Sequence, residues 1–206
     1  TSPVVAGDLL LTGFSDGYVV ALKKRDGSLA WERKIGQAIR FKDVDSTPVV
    51  DGSAVYVASF DGSLVSLALE SGELNWSVEQ GAYVPPTLGQ GRFSNRLYYS
   101  TANSEILVLD KADGKVLSRI KINKGIATQV SLMKSYMLYG ESNGAFVVAD
   151  AETGESISRF YPGHGLVSRP SFVEDTNRAY FISNSGNLYA LHLSYQSQAS
   201  RLPWQK

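Results

Sequence analysis

Three groups of residues have types and spacings that chemistry could use. In Arg40-Phe41-Lys42-Asp43-Val44-Asp45-Ser46-Thr47-Pro48, two acids stand one residue apart directly ahead of an apolar run. Such a pair can ligate a hard cation or accept charge-assisted hydrogen bonds from a basic surface. The calcium reading fails, because Pro48 interrupts the loop and neither its glycine nor its distal bidentate glutamate stands in register. Gly13-Phe14-Ser15-Asp16-Gly17 matches the spacing of a nucleophile elbow, which needs a strand, a sharp turn and a helix, with an acid and a histidine downstream. A β-type run follows instead, and the pattern returns elsewhere as Ala-Ser-Phe-Asp-Gly and Gly-Glu-Ser-Asn-Gly, so Ser15 belongs to a repeated hairpin turn. His164 and His192 are far apart and supply no spaced zinc set. Glycine-rich phosphate cradles are missing as well. No catalytic, metal or cofactor-binding set is expected.

The acid pair keeps two readings. Asp45 can form an Asx-type turn at the entry of the following strand, with Asp43 solvated or paired to Arg40. Alternatively Arg40, Asp43 and Asp45 bind a partner. No comparable acids precede the other opening strands, as Gln80-Gly81-Ala82-Tyr83-Val84-Pro85-Pro86 and His164-Gly165-Leu166-Val167-Ser168-Arg169-Pro170 illustrate, and that asymmetry favours a specific role.

The elements that must carry these residues are read from composition and self-similarity. A chain of 206 residues, 43% hydrophobic, can bury a substantial core. Twenty Lys and Arg balance twenty Asp and Glu, so no global field favours nucleic acid or an anionic membrane surface. With no cysteine there is neither a disulfide framework nor a thiolate site. No apolar run approaches a membrane span, and the sequence opens on Thr1-Ser2-Pro3 without a signal-peptide pattern.

Short β-branched and aromatic runs separated by Asp-Gly, Ser-Gly and Asn-Gly predict a nearly all-β chain. One unit recurs five times, starting at Gly17, Gly62, Ser104, Gly144 and Gly186, so successive copies are offset by 45, 42, 40 and 42 positions. That is the period of four-stranded propeller blades. A second turn glycine follows at Gly27, Gly72, Gly114 and Gly154, with Trp31, Trp76, Ser118 and Ser158 four residues further on. The sequence therefore predicts an all-β propeller of four-stranded antiparallel blades, one domain over 1–206, with repeats of approximately 1–45, 46–83, 84–127, 128–167 and 168–206. The Arg-Leu-Pro-Trp-Gln-Lys tail offers the last repeat an outer strand, with Trp204 in the place of Trp31 and Trp76. Tyr98-Tyr99, Tyr136, Tyr139, Phe160-Tyr161 and Tyr180-Phe181 are expected to pack between blades.

The turns Ala21-Leu22-Lys23-Lys24-Arg25-Asp26-Gly27-Ser28-Leu29-Ala30-Trp31 and Ser66-Leu67-Ala68-Leu69-Glu70-Ser71-Gly72-Glu73-Leu74-Asn75-Trp76 resemble the PQQ-type propeller repeat. Among families that carry it, the stretch from Arg40 to Trp76 is similar to the corresponding blade of the BamB family, lipoprotein subunits of the machinery that inserts β-barrels into the bacterial outer membrane. Catalytic quinoprotein dehydrogenases with this repeat usually carry a vicinal cysteine pair and a calcium set, so the resemblance implies a non-enzymatic scaffold. A ligand-binding or sensor propeller of a larger protein and a dehydrogenase fragment are the alternatives. The BamB resemblance implies that Arg40, Asp43 and Asp45 contact the periplasmic POTRA domains of BamA, the barrel-forming subunit. It also implies nascent outer-membrane proteins as a further partner and a periplasmic location at the inner face of the outer membrane. The family ring has eight blades and a lipid-anchor cysteine, and the resemblance covers about the last five blades. It implies an anchor outside this chain, with upstream blades removed, a smaller closed ring, or two chains completing one another.

Overall fold

The computed structural model describes residues 2–35, 44, 46–60 and 62–194. Among them, nineteen strands form five antiparallel sheets, each strand paired with the next in sequence. The first sheet contains β1 (Val4–Ala6), β2 (Leu9–Gly13), β3 (Tyr18–Lys23) and β4 (Leu29–Lys34). The second contains β5 (Val49–Asp51), β6 (Ala54–Ala58), β7 (Leu64–Ala68) and β8 (Leu74–Val78). β9 (Thr87–Leu88), β10 (Arg96–Ser100), β11 (Glu105–Asp110) and β12 (Val116–Lys121) make the third, and β13 (Ser131–Met133), β14 (Tyr136–Gly140), β15 (Phe146–Asp150) and β16 (Ser156–Phe160) the fourth. β17 (Ser171–Val173), β18 (Arg178–Ile182) and β19 (Leu188–His192) form the fifth. The chain is a β-propeller. Residues 195–206, Trp204 included, lie outside the described residues.

The two middle strands of the second, third and fourth blades are buried on both sides because a neighbouring sheet covers each face, so β7 and β11 are near-continuous buried runs, while those of the first and last blades alternate. The outermost strands are polar. In β4 and β8 only the tryptophan is buried. Four apolar clusters fill the four junctions between successive sheets. Leu11, Ala21, Val57 and Leu67 belong to the first junction, Tyr56, Tyr99, Leu107 and Leu109 to the second. Tyr98, Ile106, Met137 and Val147 belong to the third, Leu138, Phe146 and Phe181 to the fourth. Phe146 and Phe181 stack at 4.8 Å, and Phe181 and Tyr189 at 5.2 Å. Tyr161 departs from the expected packing role, being 62% exposed. On the outward faces of the first and last sheets, Val5, Ile182 and Leu188 are exposed.

The tryptophans explain why the second turn glycine recurs. Trp31 of the first blade donates its indole N–H to the Leu69 carbonyl of the second at 2.8 Å. Trp76 of the second donates likewise to Lys111 of the third at 2.9 Å. Each ring lies over the next blade's turn. A Cβ at Gly72 would come within 2.5 Å of the Trp31 ring, and one at Gly114 within 2.6 Å of the Trp76 ring. Both glycines also have positive φ, 70° and 74°, so the position needs the missing side chain for backbone and for space alike. A register shift just before the turn, at Ala21/Leu22, Ser66/Leu67, Val108/Leu109 and Val148/Ala149, bends the last two strands of four blades alike.

At the third junction Ser118 replaces the tryptophan, and two residues share its work. Ile120 covers Gly154, and the Tyr98 hydroxyl donates to the Ala151 carbonyl at 2.9 Å. Ser118 Oγ, at the position the indole takes in the first two junctions, is buried without a hydrogen-bond partner among the described residues.

Two outcomes follow for urea unfolding. Gly114→Ala, which adds both left-handed strain and a ring clash, lowers stability by about 2–4 kcal/mol. Ser118→Ala, which removes an unsatisfied hydroxyl, is neutral or stabilising by up to about 1 kcal/mol. A destabilised Ser118→Ala or an unaffected Gly114→Ala contradicts this account of the junctions. The buried tyrosines generate a second prediction. Desolvation raises the hydroxyl pKa of Tyr98, Tyr99 and Tyr139, and burial with the charges of Asp51 and Asp110 pushes Tyr56 up to about 12. In the unfolded chain a tyrosine ionises near about pH 10, so this stability is fully present below about pH 10. For Tyr56 it is lost as pH climbs from there to about 12. The urea midpoint is therefore flat from pH 8 to 10 and falls above it, and Tyr56→Phe makes the fall shallower; an equal slope in the variant refutes the assignment.

Candidate partner-binding rim

Antiparallel blades sort their connections to two ends. One end carries the hairpins between first and second strands and the glycine turns, joined by bonds such as Lys24 N–H to Asp8 O and Leu69 N–H to Ser53 O, both 2.8 Å. There Lys111 of the third blade pairs with Asp51 of the second. The other end carries the hairpins between second and third strands together with the linkers from blade to blade. Val44, Ala82 and Leu166 in three linkers each donate a backbone N–H to the hairpin of the blade just left, to Phe14, Ser59 and Glu141 at 3.2, 3.3 and 3.1 Å. This second end is the linker rim.

Arg40, Asp43 and Asp45 lie outside the described residues. Val44, between the two acids in sequence, is described. It is 1% exposed and packs on Gly13, where a Cβ would fall 2.6 Å from its Cγ1. Two residues further, Ser46 is fully buried; its hydroxyl donates to Ala58 O and accepts from Ala58 N–H, both at 2.8 Å. Val44 is thus fixed to the rim end of the first blade and Ser46 to that of the second. Ser46 supplies a strand-entry anchor, and its counterparts do the same: Thr128 Oγ1 accepts from Gly140 N–H at 2.9 Å and Ser168 Oγ from Ile182 N–H at 2.9 Å. The sequence reading passed over these hydroxyls, although Ser46, Thr128 and Ser168 recur at one repeat position.

Ser15 sits in the hairpin between β2 and β3, closed by Phe14 N–H to Tyr18 O at 2.9 Å, so a strand follows it as the repeats predict. His164 lies in the fourth linker, where its carbonyl accepts from Asn184 Nδ2 at 2.9 Å, and His192 ends β19. Among the described residues no group of three or more His, Asp or Glu side chains could hold a metal ion. No helix among them is long and apolar enough to cross a membrane.

One rim feature escaped the sequence reading altogether. Where the second, third and fifth hairpins have Ser59, Thr101 and Ser183 and the first has Phe14, the fourth has Glu141, only 1% exposed. Its carboxylate accepts from Arg159 Nη2 at 2.5 Å, from Ala145 N–H at 3.1 Å and from Asn123 N–H in the third linker at 3.2 Å. A buried charge satisfied on all sides ties hairpin, outer strand and linker together, which makes this part of the rim stiff. Beside it, Tyr83, Val84, Ala102, Ile126, Leu166 and Val167 line an apolar hollow of about 230 Å³. Tyr83 stacks on Phe60 at 4.2 Å, and Val167 and Phe14 stand exposed. The rim therefore offers apolar side chains for contact on a rigid base.

Comparison with known proteins bears on what such a rim serves. The family model described as outer membrane protein assembly factor BamB matches residues 1–116. The outer membrane protein assembly factor BamB of Legionella pneumophila (strain Paris) is 28% identical over 201 residues, covering 94% of this chain and 51% of the relative. That of Alkalilimnicola ehrlichii is 25% identical over 200 residues, with the same coverage of 94% and 51%. The chain thus spans about half the length of these relatives. The crystal structure of BamB from Moraxella catarrhalis superposes with a TM-score of 0.77 at 22% identity, over 93% of this chain and 58% of that one, a likeness of fold. With more than half of its residues matched by the family model, the chain belongs to the family of the outer membrane protein assembly factor BamB.

Proposed function

We propose that this chain is a non-enzymatic scaffold of outer-membrane protein assembly, acting in the periplasm and docking the POTRA domains of BamA through its linker rim. Arg40, Asp43 and Asp45 are the charged part of that contact. The observation that carries the reading is the acid pair itself. It stands in one linker alone among those of this chain, and the residue between the acids, Val44, is buried against Gly13 at the rim end of the first two blades. The names of the relatives as assembly factors support the same reading. A propeller rim suits this work because its loops are held on a packed sheet scaffold and vary without cost to the core. Acids on such a rim accept charge-assisted hydrogen bonds from lysine or arginine and fix the register of a docked domain, while exposed apolar residues such as Val167 supply contact area. Nascent outer-membrane proteins are a second partner class for the same rim, through addition of an extended segment.

The test is calorimetric titration of this chain with BamA POTRA domains, for wild type and for Asp43→Lys with Asp45→Lys, with circular dichroism as the folding check. The wild type binds, and the folded double variant loses about 2–5 kcal/mol, the range seen when one side of a buried charge pair is removed. A folded double variant that binds as tightly as wild type, or a wild type that does not bind, overturns the proposal. Recovery of a bound quinone or calcium ion with the purified protein overturns its non-enzymatic part.

A further inference from the structure

The innermost strands of the third, fourth and fifth blades, β9, β13 and β17, line a polar cavity of about 320 Å³ that holds Arg169, Gln90, Ser131 and Ser171. Two hydroxyls there are already spent on the scaffold. Thr87 Oγ1 donates to Val130 O at 2.6 Å, and Ser131 Oγ donates to Pro170 O. Arg169 is different. Its Nε donates to Ser131 Oγ at 3.0 Å, which fixes the plane of the guanidinium, yet it makes no ion pair among the described residues. Burial lowers its pKa with no acid nearby to offset the effect. Arg169 is exposed, and, held by its inner nitrogen, it leaves its two outer nitrogens as a pre-set fork without an acceptor among the described residues. Gln90 and Ser171 bring further side-chain donors to the same cavity, with no hydrogen-bond partner for either side chain among the described residues.

We propose that this cavity is an oxyanion site, in which the Arg169 fork takes two oxygens of a carboxylate or phosphate and Gln90 and Ser171 donate to the remainder. Planar two-oxygen anions match the guanidinium fork, and the polar groups come from three blades, with Gln90 just after β9, Ser131 on β13, Arg169 just before β17 and Ser171 on it. Arg169 follows the Ser168 anchor in the fourth linker, and the site uses none of Arg40, Asp43 and Asp45. Two sources present this chemistry: a free anion, or the terminal or side-chain carboxylate of a peptide reaching between the inner strands.

The test is binding of inorganic phosphate and of acetyl-diglycine, as free acid and as amide, to the whole chain in a low-salt buffer, read by calorimetry. Phosphate or the free acid binds saturably, the amide does not, and Arg169→Gln weakens binding by about tenfold or more. Arg169→Lys, which keeps the charge and loses the fork, weakens it less, and Arg178→Gln leaves it unchanged. Binding of phosphate alone assigns a free anion, and binding of the free acid assigns a peptide carboxylate. No saturable binding of either probe overturns the proposal, as does equal binding by Arg169→Gln. If circular dichroism shows that Arg169→Gln is unfolded, Arg169→Lys decides, and wild-type affinity in that variant overturns it.

Discussion

The packing of a tryptophan of one blade on the turn glycine of the next is the constraint from which the rest of this propeller follows. A single four-stranded sheet cannot bury both faces, so each blade is stable only against its neighbour. The ring of Trp31 on Gly72 and of Trp76 on Gly114 closes the outer edge of two junctions, while its indole N–H donates to a part-buried carbonyl of the next blade's turn. Burial of an indole contributes on the order of 3–5 kcal/mol, several times the net value of its hydrogen bond. The ring is therefore the larger effect and the bond sets its direction. At the third junction the two effects are divided, with Ile120 supplying the apolar cover and Tyr98 the donor. That division shows the requirement to be physical: a cover over the glycine and a donor to the carbonyl, from whichever strands can supply them.

Fixing the junctions at the outer edge leaves the linker end free to vary. Three linkers reach the preceding hairpin through backbone N–H groups, a device indifferent to side chains, so the sequence between Ile35 and Ser46 can hold acids that the others lack. The rim gains stiffness from Val44 on Gly13, from the Ser46, Thr128 and Ser168 anchors and from the buried Glu141–Arg159 pair. A stiff rim costs little entropy on docking, which suits the proposed scaffold role.

Much of this was legible from residues alone. The 40–45-residue period, the turn glycines and the tryptophans following two of them give five repeats within this chain and their strand order, because each is a local requirement of a hairpin or a junction. The Ser15 turn could be told from a nucleophile because its repeats showed what it was for. Other features were hidden because they join residues remote in sequence through one-off substitutions. Tyr98 in place of an indole, Glu141 in place of a serine, and the Nε of Arg169 held by Ser131 have no periodic signature. Arg40, Asp43 and Asp45 were legible as an asymmetry between repeats and as a family likeness; they lie outside the described residues, so their role rests on those two grounds.

The central claim is that the linker rim is the face that meets the assembly machinery, and site-specific photo-crosslinking tests it most directly. A photoreactive side chain placed at the exposed rim positions Phe14, Tyr83 and Val167, and at the opposite end at Arg25, Ser71 and Asp113, is irradiated in the presence of BamA POTRA domains. The account predicts crosslinks from the three rim positions and none from the glycine-turn end. Crosslinks from the turn end with none from the rim contradict it.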